Sequence, residues 1–463
     1  MSATATSNDP RVIIDDNPMT SRQWIVVALM TFLNALDGFD VLASAFAAPG
    51  IAAEWGIPRN ALGVVLSAEL IGMGVGSLFL GGMADQLGRK ATLLSCLVVM
   101  TIGMFMAGHS GGVTELIIWR LLTGIGIGGM LATTNAVTAE CTSRAARSVA
   151  LAVYVIGYPL GAVIGGFAAQ TWLLVDHDWR AVFDFGAAVT AFMIPLTLFL
   201  VPETPAFFAA RRPANALERI NRSLRTLGQP PIAAMPPELP VKDRPKVTDV
   251  LSKPGLRVVT LLLSLGYMFH TLTFYFILKW AVKIVADAGF TPPEAASVLT
   301  WANVGGAVGG TLFGFFLRKF DIKGPTICAS LIGAVAVVWF GTGSDSLWGW
   351  RGAAFLAMFF LNAAIVGYYA AFARGFPAYA RGTGTGIALG VGRAGAAGSP
   401  IIGGLLFAAL GDSELAVVAL IMAGGAVMGA LMLYLLPLSD PDREDATRVT
   451  PDLDTDLDQR KAA

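Results

Sequence analysis

Two carboxylates lie three residues apart inside the first long apolar run of the chain, in the stretch Asp37-Gly-Phe-Asp40. Residues with this spacing lie on the same face of a helix. Burial and mutual repulsion would both favour the protonated form of at least one of these carboxylates. The pair is therefore suited to taking up and releasing protons, and the alternative is a structural hydrogen bond to a neighbouring helix.

Other ionisable side chains also interrupt apolar runs, where each would nominally cost about 2.5–3.5 kcal/mol at a helix centre. Glu69 could be a second protonation site or the partner of a buried base. His270 could relay protons or only pack. Lys279 could pair with a substrate carboxylate among aromatic rings, or could extend toward the membrane interface. Arg120 could hold a carboxylate or neutralise the two aspartates.

Aromatic and amide side chains could line a cavity between helices, although each alone is also typical of ordinary packing. The candidates for such a lining include Tyr154, Tyr158, Phe274, Trp301, Asn303 and Tyr369. The sequence contains no metal-ligand cluster, phosphate loop or nucleophile–base constellation, so we expect neither an enzyme nor a bound cofactor. An ion gradient would then drive any transport, and cavity carboxylates favour protons, with sodium as the alternative.

The composition points to a membrane protein. Of the 463 residues, 55% are hydrophobic and 14% are charged, whereas soluble domains carry about 25% charged residues. Lys plus Arg equals Asp plus Glu at 32 each, which argues against nucleic acid as a partner. The bilayer is the expected partner instead, and we expect a monomer.

Windowed hydropathy predicts an all-α membrane protein with twelve transmembrane helices in two pseudo-symmetric bundles of six. The predicted spans are 22–48, 60–81, 91–108, 113–137, 147–172, 180–201, 255–285, 293–317, 325–342, 348–372, 382–410 and 414–436. The predicted domains are an N-terminal tail (1–20), a first bundle (21–202), a central loop (203–254), a second bundle (255–437) and an acidic tail (438–463). The central loop includes a basic, helix-like segment over 211–225.

Basic residues determine the predicted orientation, because loops rich in Lys and Arg stay in the cytoplasm. One set of loops includes Arg89, Lys90, Arg144, Arg147 and the basic central loop. The loops on the other side carry fewer basic and more acidic residues. Both termini are therefore predicted to be cytoplasmic in a multi-pass inner-membrane protein.

Two glycine-rich stretches resemble signatures of the major facilitator superfamily. The loop Gly81-Gly-Met-Ala-Asp85-Gln-Leu-Gly88-Arg89-Lys90 resembles G-x-x-x-D-R-x-G-R-[RK], with Gln86 in place of the first arginine. In the fourth span, Arg120-Leu-Leu-Thr-Gly-Ile-Gly-Ile-Gly128 is similar to R-x-x-x-G-x-G-x-G. This resemblance implies the superfamily's fold and transport by alternating access.

The Asp37–Asp40 pair and Gly390-Val-Gly392-Arg393-Ala-Gly395 narrow the resemblance to the aromatic acid:proton symporter family. In that family the two aspartates are essential for transport, and Arg393 would be a charged partner in the second half. The loop would form a conformational latch, and Glu140 would join its charge network or form a solvated ion pair. The residues assigned to the latch are Gly81, Asp85, Gly88, Arg89, Lys90, Glu140 and Arg144.

We therefore expect a proton-coupled symporter that imports an aromatic carboxylate such as a hydroxybenzoate. Asp37, Asp40, Glu69 and His270 are the proton-coupling candidates, and Arg120, Lys279 and Arg393 are the candidates for binding the carboxylate. The alternatives are a symporter for an aliphatic carboxylate and a proton-driven drug exporter. A sensor would require an added signalling domain, and the central loop of about fifty residues is too small for one.

Overall fold

The structure is a computed structural model that describes residues 9–175, 178–236, 254–317, 319–376, 380–411 and 414–437. These residues form helices and connecting segments without β-strands, and twelve of the helices are long and apolar enough to cross a membrane. We number these α1 to α12: Ser21–Trp55, Arg59–Leu87, Arg89–Gly108, Val113–Glu140, Arg147–Ala168, Arg180–Leu200, Pro254–Asp287, Pro292–Phe316, Lys323–Gly341, Leu347–Gly375, Arg381–Leu410 and Leu415–Leu435. The predicted fold class is confirmed.

Local sequence sets the ends of the first helix. The Thr20 side chain accepts a hydrogen bond from the Gln23 amide and the Gln23 side chain accepts one from the Thr20 amide, which forms a capping box. Gly56 ends the helix in the left-handed conformation, with φ of 58°. The helix therefore extends beyond residue 48, the end predicted from hydropathy, because hydropathy detects only the apolar part of a helix.

Within the part of the chain that the structure describes, three short helices lie outside the spans, at Pro10–Asp16, Pro205–Arg211 and Ala216–Thr226. The last of these coincides with most of the basic segment predicted over 211–225. The first was not predicted, and it buries Ile13 and Ile14 against the bundle. The other parts of the predicted tails and central loop, residues 1–8, 237–253 and 438–463, lie outside the described residues.

Helix packing repeats between the two halves of the chain. In the first half α1 packs on α5, α2 on α4 and α3 on α6, and in the second half α7 packs on α11, α8 on α10 and α9 on α12. Adding six to the helix numbers of each first-half pair gives the corresponding pair in the second half. The contacts between halves follow the same rule, because α2 packs on α11 and α5 packs on α8. The arrangement has the predicted pseudo-symmetry.

Glycines bring the paired helices together. Gly161 of α5 lies against the backbone of Ala35 in α1, and Gly395 of α11 lies against the backbone of Met268 in α7. Within a bilayer, small residues at an interface allow close approach of helices and strengthen van der Waals packing. Gly161 and Gly395 therefore have equivalent packing roles in the two halves.

The halves are closest at the end of the bundle opposite the chain termini. There, Gly63 of α2 lies against the backbone of Pro400 in α11. Farther along the same two helices, toward the termini, Gly82 and Gly386 have open space where a side chain would begin. The close backbone contact between the halves therefore lies at the end opposite the termini, which we call the closed end.

Replacing Gly161 with alanine places a methyl group into the Ala35 backbone, so we expect the protein to lose about 1–3 kcal/mol of stability. Gly74→Ala is a matched control, since nothing lies within 4 Å of its added methyl group. Alanine also favours a helix over glycine by about 1 kcal/mol. Thermal unfolding of the purified protein should show a lower Tm for Gly161→Ala only; equal Tm values for the two variants would contradict this packing.

Candidate functional site

Close packing of α2 on α4 places Glu69 beside Arg120. Gly124 lies against the backbone of Glu69, and Gly128 lies against the backbone of Met73 in the next turn of α2. Arg120 is one helical turn before Gly124, on the same face of α4. Since the two backbones approach so closely at Gly124, the guanidinium and the carboxylate have only a short distance to span.

Glu69 is shared by two cations. Its carboxylate forms ion pairs with Arg120 of α4 and with Lys279 of α7. The carboxylate has a third partner, because the hydroxyl of Ser44 in α1 donates a hydrogen bond of 3.2 Å to Glu69 Oε2. All of these side chains are fully buried. In this state Glu69 is thus the partner of two buried bases, and its role as a protonation site stays a prediction.

Arg120 is held entirely by its own half of the protein. Its guanidinium donates a hydrogen bond of 2.8 Å to the backbone oxygen of Asp40, in addition to the Glu69 ion pair. It also contacts the sulfur of Met104 at 2.8 Å and lies 5.3 Å from the centre of the Phe183 ring. Its position would therefore be preserved if the two halves moved apart.

Lys279, by contrast, connects the halves. It belongs to α7 and donates both to Glu69 and to the backbone oxygen of Val41 in α1. One turn later Lys283 pairs with Asp287, and Asp287 pairs at 2.7 Å with Arg59 of α2. Lys279 is fully buried and does not extend toward the interface, whereas the outer pairs are partly exposed. Removing one partner of a buried ion pair costs about 3–5 kcal/mol, much more than breaking an exposed one.

Asp37 and Asp40 are both fully buried in α1. Among the described residues, no hydrogen-bond donor reaches any of their four carboxylate oxygens. The charge of Arg120 acts on Asp40, and that of Arg393 acts on Asp37. The structural hydrogen bond that the sequence offered as an alternative is absent from this state, and the proton-coupling role stays a prediction.

Tyrosines from both halves gather around Arg393. Tyr158 of α5 is within electrostatic range of Asp37, Arg393, Tyr275 of α7 and Tyr369 of α10. The side chains of Tyr158, Tyr275 and Arg393 are half-buried, and Tyr369 is 49% exposed. Because these partly exposed side chains come from both halves, a space between the halves would be lined by them. We call these four residues and Asp37 the tyrosine pocket.

Sequence reasoning selected only part of the tyrosine pocket. It identified Tyr158, Tyr369 and Arg393 as candidates, but it gave Tyr275 no role of its own. The available signal was the spacing of Tyr275 and Lys279, which are four residues apart and share one face of α7. Aromatic residues are so frequent in this stretch that spacing alone did not show which rings face the other half.

Two predicted residues form polar contacts elsewhere. His270 is hydrogen-bonded through Nε2 to the backbone oxygen of Leu361, at 2.9 Å, and its ring lies 5.4 Å from that of Tyr368. These contacts place it among α7, α10 and α12 of the second half. The Tyr154 hydroxyl is 2.9 Å from that of Thr134 within the first half. Neither geometry brings the residue into the Glu69 cluster.

The remaining candidates for the lining also pack locally. Trp301 contacts the rings of Trp348 and Phe355, with centroid distances of 6.0 and 6.5 Å. Asn303 donates to a backbone oxygen one turn earlier in its own helix, at 2.8 Å. Phe274 packs edge-on against Tyr275 of the tyrosine pocket, at 5.4 Å. Of the three, only Phe274 directly supports the pocket.

The predicted latch forms an ion-pair network at the termini end of the first half. Arg89 pairs with Asp85, one turn before it, and with Glu140 at the end of α4, both at 2.9 Å. Gly88 joins α2 to α3 with φ of 105°, a conformation that side chains with a Cβ rarely adopt. The loop thereby ties the ends of three helices together.

Glu203, which sequence reasoning did not assign to the latch, completes this network. Its carboxylate accepts hydrogen bonds from the backbone amides of Arg89, at 2.7 Å, and Lys90, at 3.1 Å. An acidic group is favourable there because these amides begin α3. Burial raises the pKa of the Glu203 carboxyl, and its backbone hydrogen bonds act in the opposite direction. The neighbouring Thr204 hydroxyl donates to Glu140 at 2.6 Å.

Arg144, which was assigned to the latch, interacts with the N-terminal segment instead. Its guanidinium lies 3.6 Å from the carboxylate of Asp15 and 3.8 Å from that of Asp16. Arg147, at the start of α5, also pairs with Asp15. The short helix that the sequence did not predict thus fastens the α4–α5 connection.

Comparison with known proteins places this architecture in a family. The profile of the Major Facilitator Superfamily matches residues 27–283. The gallate transporter of Pseudomonas putida is 31% identical over 432 residues, which cover 89% of this chain and 94% of the relative. The 4-hydroxybenzoate transporter PcaK of Pseudomonas aeruginosa is 27% identical, covering 92% and 95% of the two chains. The 3-(3-hydroxy-phenyl)propionate transporter of Escherichia coli is also 27% identical, covering 90% and 94%.

Among solved structures, the xylose transporter XylE of Escherichia coli, in an inward open conformation, has the same fold. Its TM-score is 0.68 at 15% identity, and the match covers 90% of this chain and 97% of XylE. The fold, the matched profile and the full-length relatives agree. The chain therefore belongs to the major facilitator superfamily, within its family of aromatic acid transporters, and it is a transporter and not an enzyme.

Proposed function

We propose that this protein is a symporter that imports an aromatic carboxylate of the hydroxybenzoate class together with protons, by alternating access. The names of the relatives support the substrate class, since they specify gallate, 4-hydroxybenzoate and a hydroxyphenylpropionate. The tyrosine pocket supports it from the structure. Tyrosine rings offer faces and edges to an arene and hydroxyls to its polar substituents.

The observation that carries the proposal is the balance of charge between the halves. Among the described residues, the ones gathered at the centre are three carboxylates and three cations: Asp37, Asp40, Glu69, Arg120, Lys279 and Arg393. All three carboxylates lie in the first half, and two of the three cations lie in the second. With every group ionised the centre is neutral, and the two halves attract each other.

This balance bears on which cation receives the substrate. Arg120 and Lys279 already form ion pairs with Glu69. Arg393 is half-buried within the tyrosine pocket and acts on Asp37 over a longer range. In this state Arg393 is therefore the cation best placed to bind a carboxylate, and a guanidinium can do so with two parallel hydrogen bonds.

The same balance explains why protons would accompany the substrate. An anion that enters a neutral, low-dielectric centre adds an uncompensated charge, which is costly. A proton taken up by Asp37 or Asp40 would remove that excess. Neither residue's carboxylate has a hydrogen-bond donor among the described residues, so protonation would not disrupt an existing contact. The coupling would thus require at least one proton for each carboxylate.

The orientation follows from the distribution of basic residues. Arg89, Lys90, Arg144 and the helix Ala216–Thr226 all lie at the termini end. By the positive-inside rule this end is cytoplasmic in the inner membrane. In this state the tyrosine pocket would then open toward the cytoplasm. The protein would act as a monomer with no cofactor other than the proton gradient.

Uptake of radiolabelled 4-hydroxybenzoate into proteoliposomes tests the proposal. An inward gradient of one pH unit supplies about 1.4 kcal/mol per proton, enough for about tenfold accumulation. We expect accumulation in the wild type to require the gradient. Asp40→Asn leaves the centre with one excess positive charge, so the anion can enter without a proton. That variant should equilibrate the substrate but not accumulate it.

Asp184→Asn provides the control, because Asp184 is a carboxylate of α6 that faces His109, at 3.6 Å. It should retain gradient-driven accumulation. Undiminished accumulation by Asp40→Asn would contradict proton coupling at Asp40. Accumulation of an aliphatic carboxylate in preference to every aromatic one would overturn the substrate class, and efflux of cationic drugs would favour an exporter.

Arg393→Gln tests the assignment of the carboxylate-binding residue. We expect it to weaken 4-hydroxybenzoate binding by about tenfold or more, because a charge-assisted hydrogen bond contributes about 1.5–3 kcal/mol. Arg374→Gln, at the exposed end of α10, should bind as the wild type does. Isothermal titration calorimetry on the purified variants measures both, and equal affinities for the two would contradict the assignment.

A further inference from the structure

Lys279 is held in this state by contacts that cross the boundary between the halves. Its ammonium donates to Glu69 of α2 and to the Val41 backbone of α1. The other cation on Glu69, Arg120, forms its contacts within the first half. Separating the halves would therefore leave the Arg120–Glu69 ion pair intact and remove both partners of Lys279.

The position of Lys279 relates it to the tyrosine pocket. Tyr275, Lys279 and Lys283 follow one another at intervals of four residues on one face of α7. Each step advances about 6 Å along the helix axis. The pocket tyrosine therefore lies toward the middle of the helix, and Lys283 lies beside the partly exposed pair with Asp287 at the closed end. Lys279 lies between the tyrosine pocket and the closed end.

Resting on the proposed function, we propose that Lys279 binds the substrate carboxylate in a second state, in which the transporter opens at the end that is closed here. In the present state, the Glu69 carboxylate takes the place of the substrate carboxylate on Lys279. Glu69 would act as an internal carboxylate that closes the transporter when no substrate is bound. When the halves part at that end, the lysine would exchange Glu69 for the carboxylate of an arriving aromatic acid. The anion would then continue one turn inward to Arg393.

This exchange couples opening to substrate by charge alone. A buried ammonium that loses its carboxylate without replacement is costly. The substrate carboxylate supplies the replacement, and its ring can follow the same face of α7 toward Tyr275. A transported aromatic acid would thus lower the cost of opening, whereas a neutral arene of the same size would not.

Two variants break the Glu69–Lys279 pair and differ in what remains. Lys279→Met removes the ammonium and keeps the Arg120–Glu69 pair, and Glu69→Gln keeps the ammonium and removes the competing carboxylate. Opening at the closed end is measured by how fast a thiol reagent reacts with a cysteine introduced by Ala48→Cys. The native cysteines Cys96, Cys141 and Cys328 are replaced in this protein. Ala48 is fully buried and lies one turn of α1 beyond Ser44, toward the closed end.

We expect the cysteine of Ala48→Cys to react with a polar thiol reagent about tenfold faster in protein that also carries Lys279→Met or Glu69→Gln. A tenfold change corresponds to about 1.4 kcal/mol in the free energy of opening. Lys283→Met, which breaks only a partly exposed pair on the same helix, should react as the wild type does. Lys279→Arg retains the charge and should react as slowly as the wild type. That result would show that the faster reaction follows from loss of the charge and not from any substitution at this position. If both pair-breaking variants react at the wild-type rate, the Glu69–Lys279 pair does not keep this end closed, and the proposal is overturned.

The binding of 4-hydroxybenzoate separates substrate recognition from a purely structural role. We expect Lys279→Met to bind about tenfold more weakly and Glu69→Gln to bind at least as tightly as the wild type. If both variants bind 4-hydroxybenzoate equally weakly, Lys279 does not exchange Glu69 for the substrate carboxylate. The Glu69–Lys279 ion pair would then have a structural role only. Faster thiol reaction in both variants, combined with no binding of any aromatic acid to the wild type, would support the closure and contradict the proposed substrate.

Discussion

The sharing of one buried carboxylate between two cations constrains the rest of this transporter. Glu69 pairs with Arg120 of its own half and with Lys279 of the other half. In a low-dielectric interior, desolvation offsets much of the gain from such pairs, but an ion left alone is strongly unfavourable. Separating the two halves would therefore leave Lys279 without its partners and would be costly unless the charge at the centre changed. On the proposed function, a substrate anion and protons would provide this change.

Backbone packing determines which charges meet. The glycines of α4 bring α2 close enough for Glu69 to reach Arg120, and those of α5 bring it against α1 beside Asp37. Because the same small-residue contacts recur in the second half, α7 and α11 carry Lys279 and Arg393 toward the same centre. Ionic groups that would be unfavourable on isolated membrane helices thereby compensate one another.

A second network at the termini end holds parts of the first half together. Arg89 joins Asp85 to Glu140, and Glu203 accepts hydrogen bonds from the amides that begin α3. These contacts stay within the first half and its connection to the short helix Pro205–Arg211. The ion pairs of this network thus lie within the first half, whereas those at the centre of the bundle connect the two halves.

The sequence by itself determined the twelve spans, the internal repeat, the latch loop and the buried ionisable residues, because apolar length, glycine spacing and charges in apolar runs are local properties of the chain. It did not determine the partners of those residues. Glu69 had two open roles, Glu203 was not assigned to the latch, and Tyr275 was not selected. Arg144, Trp301 and His270 were selected, and they lie against other neighbours. Only the tertiary structure decided these points, since the contacts join residues up to 238 positions apart along the chain, and helix rotation decides which face of each span meets the other half.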